Sequence, residues 1–339
     1  MKTELLNENH LLKAAEIIRS GGLLGIPTET VYGLGADGLN SAAVRSIFQA
    51  KGRPQDNPLI LHVWSSGWLE RYCQDVPAAA FRLAERFWPG PLTMILRRKP
   101  VVPDAVTAGL DTVGMRCPAH PLCRQVIQLA RTPIAAPSGN TSGRPSPTTA
   151  RHMLEDMEGK IPAILDGGPC AVGVESTILD LTVAPPRILR PGGVTLEELR
   201  EVLGEVAVDS AVTRPMGEGE RPRAPGMKYR HYAPRAPVVV VAGEPESTAA
   251  YIRRHISPAP QDGVICFDEY ADRFPGRPLE RLGPAADKAE QARRVFDALR
   301  AMDGTGVQRI WAQCPEVGGI GLAVANRLNK AAGFHIVEV

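Results

Sequence analysis

The chain has 339 residues, 44% of them hydrophobic and 22% charged, with 39 Lys plus Arg against 37 Asp plus Glu and a formal net charge of +2. That length accommodates about two domains of roughly 100–200 residues each, and the composition suits a globular protein with a buried core. The near-balanced charge excludes a uniformly basic surface, so any cationic patch is local, and a nucleic-acid partner is neither implied nor excluded.

In chain order, Asn9 followed by Leu11, Leu12, Ala14, Ala15, Ile17 and Ile18 reads as an amphipathic helix stopped by Gly21 and Gly22. Leu23–Ile26 is a short buried strand leading into Pro27. Further strands are predicted at Pro58–Val63, Leu92–Leu96, Val113–Arg116, Ile134–Ala136, Ala163–Leu165, Ser176–Leu181 and Arg187–Leu189. Helices are predicted at Ser41–Lys51, Ala78–Trp88, Leu122–Ala130, Thr149–Met157 and Leu196–Leu203, the last opened by the capping-box pair Thr195 and Glu198. Residues 1–208 thus read as one α/β domain. Residues 209–236 change character to Pro, Gly and Arg with almost no aliphatic side chains, either a mobile linker or a functional loop. Beyond them, strands Val238–Val241, Gly263–Phe267 and Arg309–Trp311 alternate with helices Ser247–His255, Ala285–Met302 and Gly321–Ala332. Residues 237–339 therefore read as a smaller parallel-sheet domain with crossover helices.

Cys73, Cys117, Cys123, Cys170, Cys266 and Cys314 include no CxxC pair, so they read as buried thiols of a reducing compartment. The first residues lack the basic start and apolar run of a signal peptide, and no stretch approaches the ~18 apolar residues of a membrane span. The expected location is the cytosol, with no membrane partner.

The loops carry the chemistry. Pro27–Gly35 joins hydroxyls to glycines straight after a strand, either a ligand loop or a Gly-rich turn, and it lacks the Walker A pattern. Lys51 and Arg53 at a helix end precede a proline-fixed loop reaching Asn57 and His62. They can neutralise phosphates or simply complement the helix C-terminus. Pro89–Thr93 is a rigid turn entering a strand. Arg116, at a strand end before a proline, either clamps a carboxylate or forms a surface ion pair. Ala136–Thr148 packs serines, threonines, Asn140 and Arg144 where a strand ends, a set of donors suited to phosphate oxygens. Asp166–Gly168, Gly173–Ile178 and Leu189–Gly193 form a sixth cluster. Pro225–Pro234 mixes aromatic, cationic and proline residues within the linker, as a lid over a nucleotide would. No GxSxG elbow, HExxH pair or metal-ligand cluster is present in the sequence.

The order and spacing of PTETVYGLG, KGRPQDNPLILH, PGPLT, VGMRCPAHP, APSGNTSGRPSPT, GVESTILD, LRPGG and APGMKYRHYAP resemble the Sua5/YrdC/YwlC family, in its long Sua5 form. The resemblance implies a twisted mixed α/β sheet in the first domain and a small Rossmann-like C-terminal domain. It implies L-threonylcarbamoyladenylate synthesis: L-threonine, bicarbonate and ATP, with Mg2+ accompanying ATP, give threonylcarbamoyl-AMP, pyrophosphate and water. A separate transferase would then pass the product to adenosine 37 of tRNA, and weak direct tRNA or RNA binding is compatible with the local basic surface. By position in the matching blocks, Thr30, His62, Arg116, Ala136 and Ser176 are expected around threonine. Lys51, Arg53, Asn57, Thr112, Ser138, Ser146, Arg190 and Tyr232 are expected around ATP, with Lys51 and Arg53 bearing the catalytic charge. Gly139 stands where the family often has alanine, which implies at most a looser loop. The alternative from another class is a noncatalytic double-stranded RNA-binding module, recognisable by ATP-independent, strongly salt-dependent binding.

Overall fold

The computed structural model describes residues 2–215, 217, 222–227 and 231–339. Its first sheet is built from β1 (Glu4–Leu6), β2 (Leu24–Ile26), β3 (Gly33–Asp37), β4 (Ile60–His62), β5 (Leu92–Arg97), β6 (Thr112–Arg116), β7 (Ile134–Ala135), β8 (Ala163–Leu165), β9 (Thr177–Asp180), β10 (Arg187–Arg190) and β11 (Ala207–Val208). These lie in the order β1-β8-β2-β3-β7-β4-β6-β5-β9-β10-β11. Parallel pairs such as β4/β6 and β5/β9 alternate with antiparallel pairs such as β5/β6 and β9/β10, so the sheet is mixed, as expected.

The second sheet, β12 (Val238–Ala242), β13 (Asp262–Phe267), β14 (Leu279–Gly283), β15 (Arg309–Gln313) and β16 (Ile336–Glu338), has the order β14-β13-β15-β12-β16 and is parallel throughout. Helices α1 (Leu11–Arg19), α2 (Ser41–Lys51), α3 (Leu69–Tyr72), α4 (Ala78–Phe87), α5 (Asp104–Thr107), α6 (Pro121–Ala130), α7 (Ala150–Met157) and α8 (Leu196–Leu203) accompany the first sheet, and α9 (Pro245–His255), α10 (Lys288–Met302) and α11 (Gly321–Ala331) the second. The capping box at Thr195 and Glu198 is formed at α8.

Strand β3 is absent from the sequence-based expectation, because GLGAD carries no β-branched residue. Its glycines are needed for packing: a Cβ on Gly35 would lie 2.8 Å from Ile134. Strand β14 and the edge strands β1 and β16 also escape that expectation, being short and half-polar.

Helix α2 shows how local rules deliver a functional side chain. Asn40 accepts from the amides of Ala42 and Ala43 as N-cap, Ala43, Val44, Ile47 and Phe48 bury one face, and Gly52 ends the helix in the left-handed conformation with φ 63°. Lys51 therefore falls at a fixed angle in the last turn and is buried.

The two sheets share a core. Val31 and Val174 of the first half and Tyr232 of the linker belong to one buried cluster with Val238, Phe296 and Leu328 of the second. The linker, read from composition as poor in apolar residues, still buries Ala211, Ala224 and Met227 against Ile60, Ile95, Ile178 and Leu189. Among its described residues it is thus packed onto the first domain. All six cysteines are buried and unpaired, as expected. Among the described residues no helix is long and apolar enough to cross a membrane.

Candidate active site

Strands β4 and β6 are parallel and end level, so His62 and Arg116 are register partners. Antiparallel β5 brings Thr93 opposite Arg116, and the approach to β9 brings Ser176 within 2.8 Å of Thr93 between hydroxyl oxygens. Strand β10 ends at Arg190, whose guanidinium donates to the Ser176 carbonyl at 3.0–3.1 Å and to its hydroxyl at 3.2 Å. A bridge between Gly33 and Ser138 closes the remaining side. These strand ends surround one cavity, roofed by Pro225, Gly226, His231 and Tyr232 of the linker.

Two regions of different chemistry share it. In the first, Arg116 is held by a buried ion pair with Glu29 at 2.7 Å, and the other Glu29 oxygen accepts from the Ala119 amide at 2.9 Å. Arg116 is thus both a cavity residue and an ion-pair partner, but the pair is buried, not on the surface. His62 stands beside it, and burial followed by the Arg116 charge pushes its imidazole down to about 3, so it is neutral near pH 7. Ala136 lines the same wall.

In the second, Lys51 donates to the carbonyls of Ser138 and Asn140, and its own carbonyl accepts from the Ser142 amide at 2.9 Å. Burial and then Arg53 hold the Lys51 ammonium well below its usual range, a penalty that an arriving polyanion relieves. Arg53 is fixed by donating to the carbonyls of Pro58 at 3.1 Å and Asn57 at 3.4 Å. Glu175 also lines the cavity. Burial alone would raise its carboxyl, but Arg327 and Arg190 outweigh that and hold it at about 2. Tyr232 sits at φ 64°, buried, with its ring 5.2 Å from Phe296.

Of the residues singled out in the sequence, Lys51, Arg53, His62, Arg116, Ala136, Ser138, Ser176, Arg190 and Tyr232 line this cavity. Thr30 stands behind it, fully buried, with its hydroxyl 2.8 Å from that of Thr28, which does line it. Asn57 is buried and offers Arg53 its carbonyl, and Ser146 is buried and donates to Glu175 at 2.6 Å. Thr112 begins β6 while Arg116 ends it, about 13 Å away at ~3.3 Å per residue, and it pairs with Arg97 instead. The strand simply carries it away from the strand ends that form the wall. Lys228, Tyr229 and Arg230 of the linker block lie outside the described residues.

Sequence reasoning misses Glu29, Glu175 and Arg327. A signal exists for two of them: Glu29 is the one charge in PTETVYGLG, and Arg327 interrupts the apolar run GLAVANRL. A lone charge in a buried run calls for a partner. At Gly139 a Cβ would lie 2.7 Å from the Met153 thioether, a flexible side-chain end that would have to shift to admit alanine.

Among the described residues no group of three or more His, Cys, Asp or Glu is placed to hold a metal. Glu175, the one carboxylate among the described residues lining the cavity, is committed to Ser146 and Arg327. The residues present do not form a metal cage.

A buried cavity lined by arginines and a lysine, with an imidazole and hydroxyls between them, defines an α/β protein that binds more than one anionic group at once. Residues 16–192 match the family model described as telomere recombination, and residues 194–333 match that of the threonylcarbamoyl-AMP synthase C-terminal domain. The chain belongs to the Sua5/YrdC family, in its long two-part form. It is 48% identical over 337 residues to the threonylcarbamoyl-AMP synthase of Pyrococcus abyssi, covering 99% of this chain and 98% of that one. It is 43% identical over 333 residues to the Bacillus subtilis protein of the same name, covering 98% and 95%. The crystal structure of Pyrococcus abyssi Sua5 complexed with L-threonine superposes with a TM-score of 0.90 at 45% identity, covering 100% of both chains.

Proposed function

We propose that this protein is an L-threonylcarbamoyl-AMP synthase, joining L-threonine, bicarbonate and ATP into threonylcarbamoyl-AMP and pyrophosphate for the modification of adenosine 37 in tRNA. The observation that supports the reading is one cavity lined by Arg116 and neutral His62 together with Lys51, Arg53 and Arg190. The first pair suits an amino-acid carboxylate, the other three a triphosphate. The names of relatives that match over the whole chain support it.

Arg116 grips the threonine carboxylate, its guanidinium already oriented by Glu29. His62, being neutral, offers a polar edge without competing for that carboxylate. Ser176 and Ala136 complete the amino-acid side, the former by a hydroxyl, the latter by leaving room. Thr30 acts at one remove, holding the Thr28 hydroxyl that faces the ligand. The neutral threonine amine adds to carbon dioxide and gives up a proton to form a carbamate; starting from bicarbonate, the same carbamate forms as a C–O bond breaks and water leaves. A carbamate oxygen then attacks the α-phosphorus of ATP, and the bond to the pyrophosphate oxygen breaks.

Two anions must meet in that second step. Lys51, Arg53 and Arg190 lower its barrier by placing fixed positive charge where negative charge accumulates, in a cavity roofed by the linker. Ser138 lies on the same side, Asn57 braces Arg53, and Ser146 acts through Glu175. Tyr232 and His231 cover the site and slow hydrolysis of the carbamate. Mg2+ enters as the companion of ATP, and no protein residue is assigned to it. A transferase acting downstream consumes the product, and the cytosol supplies the substrates.

Purified protein given L-threonine, bicarbonate, ATP and Mg2+ is expected to release pyrophosphate, and to stop when threonine is withheld. Release at an equal rate without threonine contradicts the reading.

A further inference from the structure

Glu175 poses an electrostatic problem. It is a buried carboxylate in the wall that receives a triphosphate, held ionised at the working pH. A free carboxylate there repels phosphate at short range in a poorly screened setting. The cation that answers it comes from the other half of the molecule: Arg327, on α11, donates through Nε to the Glu175 carboxylate at 2.7 Å. Arg327 is fully buried. Its Nη1 donates to the Pro191 carbonyl at 2.9 Å and to the Asn326 side-chain oxygen at 3.0 Å, and its guanidinium lies 5.4 Å from the Tyr232 ring. Its Nη2 is buried with no hydrogen-bond partner among the described residues. Burying a guanidinium is costly, and here the pair with Glu175 and the Pro191 contact offset that cost.

The consequences converge on the nucleotide side. Glu175 accepts from Ser146 at 2.6 Å, and its partner Arg327 lies against the Tyr232 ring. The pair therefore brackets the serine-rich loop and the linker roof together. The same face of α11 ties down the linker twice more, Asn326 donating to the Val212 carbonyl at 2.8 Å and Lys330 to that of Met227 at 3.1 Å.

We infer that Arg327 is a positioning residue for ATP, by which the C-terminal domain neutralises Glu175 and turns a repulsive carboxylate into the bracket that shapes the triphosphate wall. The inference rests on the proposed use of this cavity for ATP. The C-terminal domain thereby completes the charge balance of a site whose ligand-facing groups lie in the first half and the linker.

The test pairs calorimetric titration with ATP and steady-state pyrophosphate release. Arg327→Met is expected to weaken ATP binding about tenfold or more, in line with loss of a buried charge partner, while the KM for threonine stays within about twofold. Adding Glu175→Gln removes the stranded carboxylate and is expected to return ATP affinity to within about threefold of wild type, a coupling that a merely structural arginine would not show. If Arg327→Met yields no soluble protein, Arg327→Gln, which removes the charge but keeps a hydrogen-bond donor, gives the same comparison with and without Glu175→Gln. Unchanged ATP affinity, equal losses for both substrates, or no recovery in the double variant overturns the inference. Wild-type protein that binds ATP but releases no pyrophosphate with threonine would refute the proposed reaction alone, leaving the role of Arg327 in nucleotide binding to be judged by the titration.

Discussion

Arg116 makes two kinds of demand on its surroundings, since it must be free to meet a ligand and yet not wander. Its contact to the Gly90 carbonyl is long, 3.4 Å, so the 2.7 Å pair with Glu29 does most of the aiming. Glu29 also dilutes the positive charge offered to a carboxylate, and the two effects oppose one another. Orientation should win, because a buried charge-assisted contact contributes about 1.5–3 kcal/mol and its loss lets a four-torsion side chain swing. Glu29→Ala is therefore expected to raise the KM for threonine about tenfold or more, with the ATP KM nearly unchanged. Glu29→Gln, which keeps an acceptor oxygen, should do less. A lower threonine KM in the alanine variant would mean that Glu29 mainly screens Arg116.

At the level of elements, close backbone approach decides more than side-chain polarity. Gly192, just past β10, lies against the segment entering β9: a Cβ there would stand 2.2 Å from the Glu175 carbonyl oxygen and 2.4 Å from the Thr177 nitrogen. Backbone cannot yield as a methionine tip can, so Gly192→Ala must push Glu175 and Ser176 out of the wall. The expected cost is about 3 kcal/mol or more of stability, with both KM values raised. Gly204→Ala is the control: its φ of 79° strains alanine, yet nothing lies within 4 Å. It should cost about 1 kcal/mol and leave both KM values alone. Equal kinetic damage in the two variants would argue against displacement of the wall. The same distinction marks what the residues make legible beforehand. Helix α2 is readable to the residue, since its apolar stripe, Asn40 cap and Gly52 stop are all local. Strand β3 is not, because its glycines answer Ile134, about a hundred residues downstream. Likewise Arg116 and Lys51 announce themselves beside Pro and Gly, whereas Arg327 announces only that it needs a partner, and nothing local names Glu175, 152 residues away.

The two sheets of the whole molecule are joined by buried charge as well as by shared apolar core. The side chain of Asp156, on α7, is completely buried and meets Arg300 of α10 at 2.6 Å, with Arg144 on its other oxygen. Arg300 also donates to the Pro145 carbonyl, next to Ser146, and Asp303 accepts from both Arg144 and the Arg235 amide. The end of α10 thus grips the loop that carries Ser138 and Ser146, as α11 grips Glu175. With Val31, Val174 and Tyr232 also packed into the second core, neither half can lose its fold without exposing part of the other. Wild-type protein should accordingly unfold in urea in one transition, reported alike by tryptophan fluorescence and far-UV circular dichroism. Arg300→Met leaves Asp156 short of one buried partner, a change expected to cost about 3–5 kcal/mol. Because that loss falls on the joint and not on either sheet, the two halves should then part company: the two probes separate, and the second sheet, which keeps a core of its own around Val239, Ile252 and Phe274 on one face, unfolds at its own midpoint. A single transition shifted to lower urea, with the probes still coincident, would show that the apolar contacts around Tyr232 and Phe296 couple the halves without the charge cluster.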